Sequence, residues 1–286
     1  LLQLVAAGQL WSIPPFDTAA PALRRVGDIS LAGDGEPTAA KEFEAVVRAV
    51  GRVRRAHGLE HIPLSVLSNA TLFHRAPVRS GLEALAELDG RIWAKLDAGT
   101  EPFFHRVDGT SMPLQRVLDN LAWAASQWPI VLQCMFHTWQ GESPPEEEIA
   151  AWAGHIRALL HSGGRLSEIQ IYTVARTPSD PRVGPLSTEQ PDGIAAAVAD
   201  LGVPLRVACA GRRIAASAGL RASALLRLAP LSPGARPGPP LRWSPPQHSH
   251  GHSLCTRLDR LLFCSAFCLP CGAGARRTRP GARVER

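Results

Sequence analysis

Lysine, tyrosine and long apolar runs are scarce in this sequence of 286 residues. The only lysines are Lys41 and Lys95, and the only tyrosine is Tyr172. No run approaches the roughly 18 consecutive apolar residues of a membrane helix, so we expect no transmembrane helix. Residues 1–14 have no basic start and no small-residue cleavage site, so we also expect no signal peptide.

Cysteine is scarce in the part of the chain that reads as globular. Only Cys134 and Cys209 fall within residues 1–210, and the other four cysteines fall between residues 255 and 271. Six cysteines without a secretory signal argue against a disulfide framework, so we expect a reducing, cytoplasmic setting. No Gly-x-Gly-x-x-Gly follows a predicted strand, which removes the usual signature of a dinucleotide fold.

Charge divides the chain into two regions of different character. Residues 1–210 hold 18 basic and 23 acidic residues, a net charge of −5, which gives no reason to expect nucleic-acid binding. Residues 211–286 hold 13 arginines, two acidic residues and nine prolines, a net charge of +11. We therefore expect a globular domain over 1–210 and an unstructured Arg/Pro-rich tail over 211–286. A frame-shifted origin of this tail is our hypothesis.

The globular region alternates between predicted strands and helices. The predicted strand centres are 28 to 39 residues apart, the length of a βα unit, and lie near Ile29, Val66, Ala94, Leu132, Ile171 and Leu205. The apolar spacing predicts helices over 40–56, 78–88 and 111–127, with Ser111 as a cap, and two more that open at capping boxes, over 143–159 and 187–201, with Ser143 and Ser187 as caps. Repeated units of this kind form an open sheet or a barrel, and in both the site lies at the carboxyl ends of the strands.

Polar groups follow these strands at the ends where a site is expected. They are Gly33–Thr38, Ser68–Thr71, Lys95–Asp97, Gln133 with His137, and Gln170 with Tyr172 and Arg176. Amide, carboxylate and ammonium groups at one mouth predict a site for a polar, zwitterionic ligand. For any single residue, an ordinary turn or capping role is the alternative interpretation. The tryptophans at 123, 128, 139 and 152 are expected to pack against the sheet.

Four segments resemble, in order, strands of the radical S-adenosylmethionine superfamily. Residues 29–38 resemble its second strand with a Gly-Glu-Pro motif, residues 65–72 its third strand, and residues 93–99 its fourth. Residues 169–178 resemble the sixth strand of the branch related to wyosine-base synthases of transfer RNA. The resemblance covers about residues 20–208. It implies an α/β fold, a partial (β/α)6 TIM-like barrel that lacks its first strand.

The same resemblance implies two cofactors, S-adenosylmethionine and a [4Fe–4S] cluster. Reduction at the cluster would cleave S-adenosylmethionine and give a 5′-deoxyadenosyl radical, with flavodoxin or ferredoxin as reducing partner. The substrate, a small molecule or an RNA, stays open. The residues implied in binding S-adenosylmethionine are Gly33, Gly35 and Glu36 for the methionyl ammonium, and Asn69, Lys95 and Gln133 for the carboxylate and ribose, with Asp97 beside them.

The cluster ligands depart from the family pattern. The family places C-x3-C-x2-C after its first strand, whereas residues 1–35 contain no cysteine, so we expect the chain to begin after that motif. The same spacing occurs in the tail, where candidate cluster ligands are Cys264, Cys268 and Cys271. A zinc site of Cys255 with His248, His250 or His252 is another possibility. The alternative functions are a non-catalytic barrel remnant and an ordinary (β/α) barrel enzyme that binds a phosphorylated small molecule.

Overall fold

A computed structural model describes residues 2–14, 16–32, 35–175, 177–178, 180–209, 212–214 and 262–263. Its strands are β1 (Ile29–Leu31), β2 (Leu64–Ser68), β3 (Arg91–Lys95), β4 (Ile130–Met135), β5 (Thr138–Trp139), β6 (Leu166–Tyr172), β7 (Val183–Gly184), β8 (Leu205–Cys209), β9 (Arg212–Ile214) and β10 (Leu262–Phe263). Its α-helices are α1 (Leu2–Ala6), α2 (Phe43–Ala56), α3 (Ala76–Ala86), α4 (Glu101–Asp108), α5 (Leu114–Gln127), α6 (Glu146–His161) and α7 (Gln190–Ala196).

The main sheet follows the order of the chain. Strands β1, β2, β3, β4, β6 and β8 pair in that order and are all parallel. Strands β10 and β9 add antiparallel partners at the two edges, and β5 pairs with β7 in a separate small sheet. Because the strand order never reverses, the sheet is the partial-barrel kind rather than the doubly wound kind. The predicted fold class, a partial TIM-like barrel of α/β type, is confirmed.

One face of this sheet is apolar and fully buried. The register aligns Ile29 with Leu64 and Ala94 with Leu132, and such residues join the helices in a single core. Val47 of α2, Leu121 of α5 and Ile156 of α6 belong to the same core cluster. The helices need this face because each of them buries an apolar stripe against it.

The opposite face of the sheet carries polar side chains in register. Lys95 of β3 is aligned with Gln133 of β4, Gln133 with Gln170 of β6, and Gln170 with Arg206 of β8. Successive residues of a strand point to opposite faces, so these four share the concave side of the partial barrel. A packed barrel interior would carry branched apolar residues at these positions. The concave face is therefore arranged for a polar occupant.

The predicted helix starts were wrong in detail. Helix α5 starts three residues after Ser111 with Pro113 as its N-cap, and α6 starts with Pro145 as its N-cap, so neither serine caps a helix. Ser143 instead accepts a hydrogen bond from the Gln190 side chain. Half of the second predicted capping box is present, because the backbone N–H of Ser187 donates to Oε1 of Gln190 at 2.7 Å. Proline at the start of a helix has no backbone N–H that needs a capping partner, so these two helices begin without a serine cap.

Most of the predicted tail lies outside the described residues. Of residues 211–286, only β9 and β10 are described, so the predicted boundary at 210 stays a prediction. The candidate ligands Cys264, Cys268 and Cys271 also lie outside the described residues, as do Cys255 and the three histidines near it. Among the described helices, none combines the length and the apolar character that crossing a membrane requires.

Candidate functional site at the strand ends

The Glu36 carboxylate ties the end of β1 to the end of β2. Its Oε1 accepts hydrogen bonds from the Thr38 backbone N–H (3.1 Å), the Thr38 hydroxyl (2.6 Å) and the Ser68 hydroxyl (2.7 Å). Its Oε2 accepts one from the backbone N–H of Asn69 at 2.8 Å. Each carboxylate oxygen has two lone pairs, so Oε2, which accepts a single bond, keeps one for a further donor. The predicted role of Glu36 toward an ammonium group therefore stays a prediction that rests on that single position.

The turn after β2 is held in an unusual backbone conformation. Ala70 has a positive φ of 59°, which non-glycine residues rarely adopt, and it is fully buried. The Ser68 hydroxyl accepts from the Ala70 N–H, and the buried Asn120 of α5 donates its side-chain amide to the Ala70 carbonyl at 2.7 Å. Such a conformation persists only where its surroundings fix it, and it occurs often at binding sites.

This turn presents the side chain of Asn69 with a fixed orientation. The Asn69 Oδ1 accepts from both the backbone N–H (3.1 Å) and the hydroxyl (2.7 Å) of Thr71. The other end of the amide, Nδ2, donates to no group among the residues the structure describes. Both Asn69 and Thr71 line the cavity described below. The Asn69 Nδ2 is thus a directed donor available to a ligand.

Lys95 and Asp97 form an ion pair at the end of β3. The Lys95 Nζ lies 2.7 Å from the Asp97 Oδ2, and the Asp97 side chain is 1% exposed. The Asp97 Oδ1 accepts from the backbone N–H of Met135 on β4, whereas Oδ2 has no donor in hydrogen-bond direction in the described part of the chain. In this pair each charge faces the opposite charge. The buried Asp97 Oδ2, however, accepts no hydrogen bond of favourable geometry.

Electrostatics keep both Lys95 and Tyr172 in their protonated forms. The Asp97 carboxylate raises the pKa of Lys95 well above its ordinary value, although burial opposes this effect. Burial and then the charge of Asp97 raise the pKa of the nearby Tyr172 hydroxyl. Lys95 is therefore a fixed cation and Tyr172 a hydrogen-bond donor at all ordinary pH values. Neither can act as a base in the free protein.

These groups surround a cavity of about 200 Å³ at the strand ends. Its lining consists of Asn69, Thr71, Lys95, Leu96, Asp97, Phe104, Asp108, Thr110, Met112 and Val117. Three of the predicted site residues, Asn69, Lys95 and Asp97, meet in this lining. Ligand pockets commonly have about 300–1,000 Å³, so this cavity is sized for part of a nucleoside conjugate rather than the whole.

Helix α4, which the sequence analysis missed, closes one side of the cavity with Phe104 and Asp108. Its signals were present in the sequence. Thr100 caps the helix by accepting from the Phe103 N–H, a proline occupies its first turn, and Gly109 ends it with a φ of 60°. The helix is only eight residues long and has one fully buried residue, so its apolar periodicity is too weak to stand out.

Helix α6 fixes the loop between β3 and α4 from behind. The buried Glu148 accepts from the backbone N–H groups of Gly99 and Thr100, and Trp152 donates its indole N–H to the Leu96 carbonyl. A Cβ at Gly99 would overlap the backbone of α6, so only glycine fits there. His155 also contacts the Gly99 carbonyl. The segment that follows β3 beside the cavity is thereby held in place by side chains of α6 that do not line the cavity.

Gln133 lies beside the cavity lining rather than in it. Its amide donates to Oε1 of Gln170 at 3.4 Å, and the Gln170 amide donates to Glu168, which is paired with Arg206. This chain of contacts runs across the concave face and leads toward Lys95, the register neighbour of Gln133. Gln133 is placed to contact a ligand that extends out of the cavity along β4.

The remaining predicted residues do not join the cavity lining. Gly33 and Arg176 lie outside the described residues, and Gly35 is exposed at the end of β1. His137 is buried and its ring contacts the Thr138 carbonyl, so it faces the β4–β5 turn. Trp152 is fully buried and packs edge-on against Phe136 at 5.2 Å, as expected of a packing tryptophan. Trp139 belongs to the small sheet, where the Arg182 guanidinium lies 4.4 Å from its ring centre.

The described residues do not fit a [4Fe–4S] cluster. Within them, no group of three or more His, Cys, Asp or Glu side chains is placed to hold a metal. Cys134 is fully buried on the apolar face, and burial raises the pKa of its thiol, so it behaves as a small apolar residue. No chemical step through a cluster is therefore derived from these residues.

Comparisons with known proteins give little beyond this geometry. No family model matches the chain, and no curated protein matches it. Among solved structures, the chain is similar to the crystal structure of a radical SAM methyltransferase from Sphaerobacter thermophilus, with 16% sequence identity and a TM-score of 0.45. The match covers 66% of this chain and 52% of the other, so this chain spans about half of that protein. A similarity at this level carries no conclusion about ligand or activity.

Proposed function

We propose that this chain binds S-adenosylmethionine at the carboxyl ends of β1 to β4, as a barrel of the radical S-adenosylmethionine superfamily. The observation that carries the proposal is the convergence of three predicted site residues, Asn69, Lys95 and Asp97, on one cavity. They come from different strand ends and present a directed amide donor, a fixed ammonium and a buried carboxylate. A zwitterionic ligand with hydroxyl groups has a partner for each of these.

The chemistry of the residues assigns parts of the ligand to parts of the site. The Lys95 ammonium pairs with the ligand carboxylate, because it is the cation of the cavity lining and stays protonated. The Asn69 Nδ2 donates to a ribose hydroxyl, and the free lone pair of Glu36 Oε2 accepts from the ligand ammonium. The rest of the ligand extends along the concave face past Gln133. Tyr172 supplies a hydroxyl donor near the Lys95–Asp97 pair.

The proposal extends to reductive cleavage of the bound ligand. It requires a [4Fe–4S] cluster, which supplies the electron, and a reductant such as flavodoxin or ferredoxin in the cytoplasm. The described residues bind and orient the ligand, and cluster ligands would come from elsewhere, whether from Cys264, Cys268 and Cys271 or from a neighbouring stretch of chain. A wyosine-type RNA substrate rests on the resemblance of residues 169–178 alone, and the net charge of −5 over residues 1–210 does not favour it.

The charge of the cavity separates this proposal from the alternative barrel enzyme. A phosphorylated ligand needs a surplus of cationic or N–H donors, whereas this lining has two carboxylates and one ammonium. A non-catalytic remnant would bind the same ligand without cleaving it. The first distinction is a binding measurement and the second is a turnover measurement.

Calorimetric titration of the purified chain with S-adenosylmethionine tests the proposal. The Asn69→Asp variant keeps the Oδ1 acceptor for Thr71 and replaces the Nδ2 donor with a second carboxylate oxygen. We expect its Kd to rise about tenfold, because one hydrogen bond is worth about 0.5–1.5 kcal/mol. The Gln127→Glu variant, which adds the same charge on an exposed helix end, is expected to bind normally.

Absence of S-adenosylmethionine binding, or tighter binding of inorganic phosphate, would contradict the proposal. Anaerobic reconstitution with iron and sulfide then tests the cleavage step, on this chain and on a version extended at its N-terminus. A cluster signal in the visible and electron paramagnetic resonance spectra, together with release of 5′-deoxyadenosine, is the expected outcome for a competent enzyme. Binding without either signal would identify a non-catalytic remnant.

A further inference from the structure

The cavity contains more negative than positive charge. Its lining includes two carboxylates, Asp97 and Asp108, and one cation, Lys95. In the empty site the Lys95 ammonium pairs with Asp97 at 2.7 Å. The lining therefore carries an uncompensated carboxylate on the α4 side when all three groups are charged.

Asp108 is that uncompensated carboxylate. In the described part of the chain, no lysine, arginine or histidine forms an ion pair with it. The basic residues of its own helix are turned to other partners. His105 contacts Glu101 and the Met112 carbonyl, and Arg106 lies near the Phe103 ring. Asp108 thus has a free charge at the cavity and a position opposite the strand-end groups.

The two charged groups that act on Asp108, Lys95 and Asp97, lie at the end of β3 and just after it. Burial and the Asp97 carboxylate raise the pKa of Asp108 to about 6, and the Lys95 ammonium partly opposes them. The other groups of the lining near it, Thr110 and Met112, are uncharged. Asp108 consequently changes charge in the range of mildly acidic pH, whereas Lys95 does not.

We infer that Asp108 faces the sulfonium of the ligand, whose ammonium is assigned to Glu36. Asp108 thereby makes the cavity selective for positively charged nucleoside conjugates over their neutral analogues. This inference rests on the proposed function, since it concerns the same cavity. It adds a residue that neither the strand-end pattern nor the resemblance pointed to. A cation placed between Asp108 and Asp97 restores the charge balance of the cavity lining, which has two carboxylates and one ammonium.

The test compares one cationic and one neutral ligand at two pH values. S-adenosylmethionine carries a sulfonium and an ammonium, whereas 5′-deoxy-5′-methylthioadenosine is neutral. Because the pKa of Asp108 is raised, a larger share of its carboxyl group is protonated at pH 5 than at pH 7.5. We expect the Kd of S-adenosylmethionine to rise measurably from pH 7.5 to pH 5, while the Kd of the neutral ligand stays unchanged.

The Asp108→Asn variant removes the charge and keeps the size of the side chain. We expect it to bind S-adenosylmethionine about tenfold more weakly at pH 7.5, with no further loss at pH 5. The matched control is Asp119→Asn, because Asp119 is an exposed carboxylate of α5 outside the cavity. It is expected to keep the wild-type profile. The wild-type titration tests the inference even if Asp108→Asn does not fold.

Three results would overturn the inference, and they are distinguishable from failure of the proposed function. Binding of S-adenosylmethionine that is independent of pH in the wild type, or a wild-type profile in Asp108→Asn, removes Asp108 alone and leaves the proposed function standing. Displacement of S-adenosylmethionine by millimolar Mg²⁺ would make the two carboxylates an inorganic cation site instead. No binding of either ligand at either pH removes the proposed function and the inference together.

Discussion

The two sides of the cavity satisfy their polar groups to very different degrees. On the side of β1 and β2, the Glu36 carboxylate accepts four hydrogen bonds and the side-chain oxygen Oδ1 of Asn69 accepts two. On the side of β3 and α4, one Asp97 oxygen lacks a directed donor and Asp108 has no ion pair within the described residues. The hydrogen bonds of the first side fix the geometry of its polar groups, whereas the second side has a carboxylate without an ion-pair partner.

This difference separates architecture from recognition within one site. A fully bonded polar network fixes the geometry of the groups beside it, because its members have little to gain from another arrangement. A partly bonded one raises the free energy of the empty site, and a ligand that completes it recovers that free energy on binding. Substitutions of the bonded groups on the first side should therefore act mainly on stability. Substitutions of its one open donor, the Asn69 Nδ2, and substitutions on the second side should act on ligand binding as well.

The largest expected effect comes from removing the cation of the β3 side. The Lys95→Met variant leaves the enclosed Asp97 carboxylate without its partner, and breaking such a buried pair costs about 3–5 kcal/mol. Because the Lys95 side chain is one-third exposed, we expect about 3 kcal/mol of lost unfolding free energy, measured by urea denaturation. Binding of S-adenosylmethionine should be lost as well.

The other lysine of the chain supplies the control. Lys41 is exposed, and Lys41→Met should change the unfolding free energy by less than about 0.5 kcal/mol. Adding Asp97→Asn to Lys95→Met removes the orphaned charge and keeps the acceptor for the Met135 N–H, so it should recover part of the lost stability. Equal stability of the two lysine variants would show that the pair does not hold this side together.

A smaller loss is expected from the β1–β2 side. Glu36→Ala removes the acceptor of four hydrogen bonds in a half-buried setting, and we expect about 2 kcal/mol of lost unfolding free energy. Glu83→Ala, on an exposed position of α3, should have little effect. If Glu36→Ala weakens ligand binding while leaving stability unchanged, then Glu36 is a ligand contact first and the contrast between the two sides is wrong.

The sequence predicted the fold and the place of the cavity because both depend on local patterns. Apolar runs at intervals of a βα unit predicted the six parallel strands, and polar residues after them predicted where the cavity lies. Asn69, Lys95 and Asp97 could be placed together because the carboxyl ends of neighbouring parallel strands meet. These inferences need only spacing and chain order.

The partners of these residues could not be predicted in the same way. Asn120 contacts Ala70 from fifty residues away, and Glu148 reaches Gly99 from another helix, so neither contact leaves a mark in local sequence. The positive φ of Ala70 is invisible for the same reason, because alanine does not signal that conformation. Asp108 was missed together with α4, whose short length gave no clear periodicity. Long-range contacts determine which polar groups are satisfied, and that decides which are available to a ligand.

The smallest expected effect is the pH dependence that Asp108 gives to the stability of the empty protein. Its folded pKa, raised to about 6, lies above the ordinary value of 3.8, so the folded state binds more protons than the unfolded state between these values. The contribution of Asp108 to stability is thus complete below about pH 4 and is lost as the pH rises through 6. Relative to Asp108→Asn, the wild type should lose unfolding free energy across this window and run parallel above it. Because Asp108 as a residue is exposed, water screens its charge, and the change should stay below about 1 kcal/mol.

Urea denaturation from pH 4 to pH 7.5, with Asp119→Asn as the control variant, measures this difference in unfolding free energy. If the wild type instead gains unfolding free energy relative to Asp108→Asn as the pH rises, then an unrecognised cation stabilises the Asp108 carboxylate. The polar groups on the two sides of the cavity would then be equally well partnered.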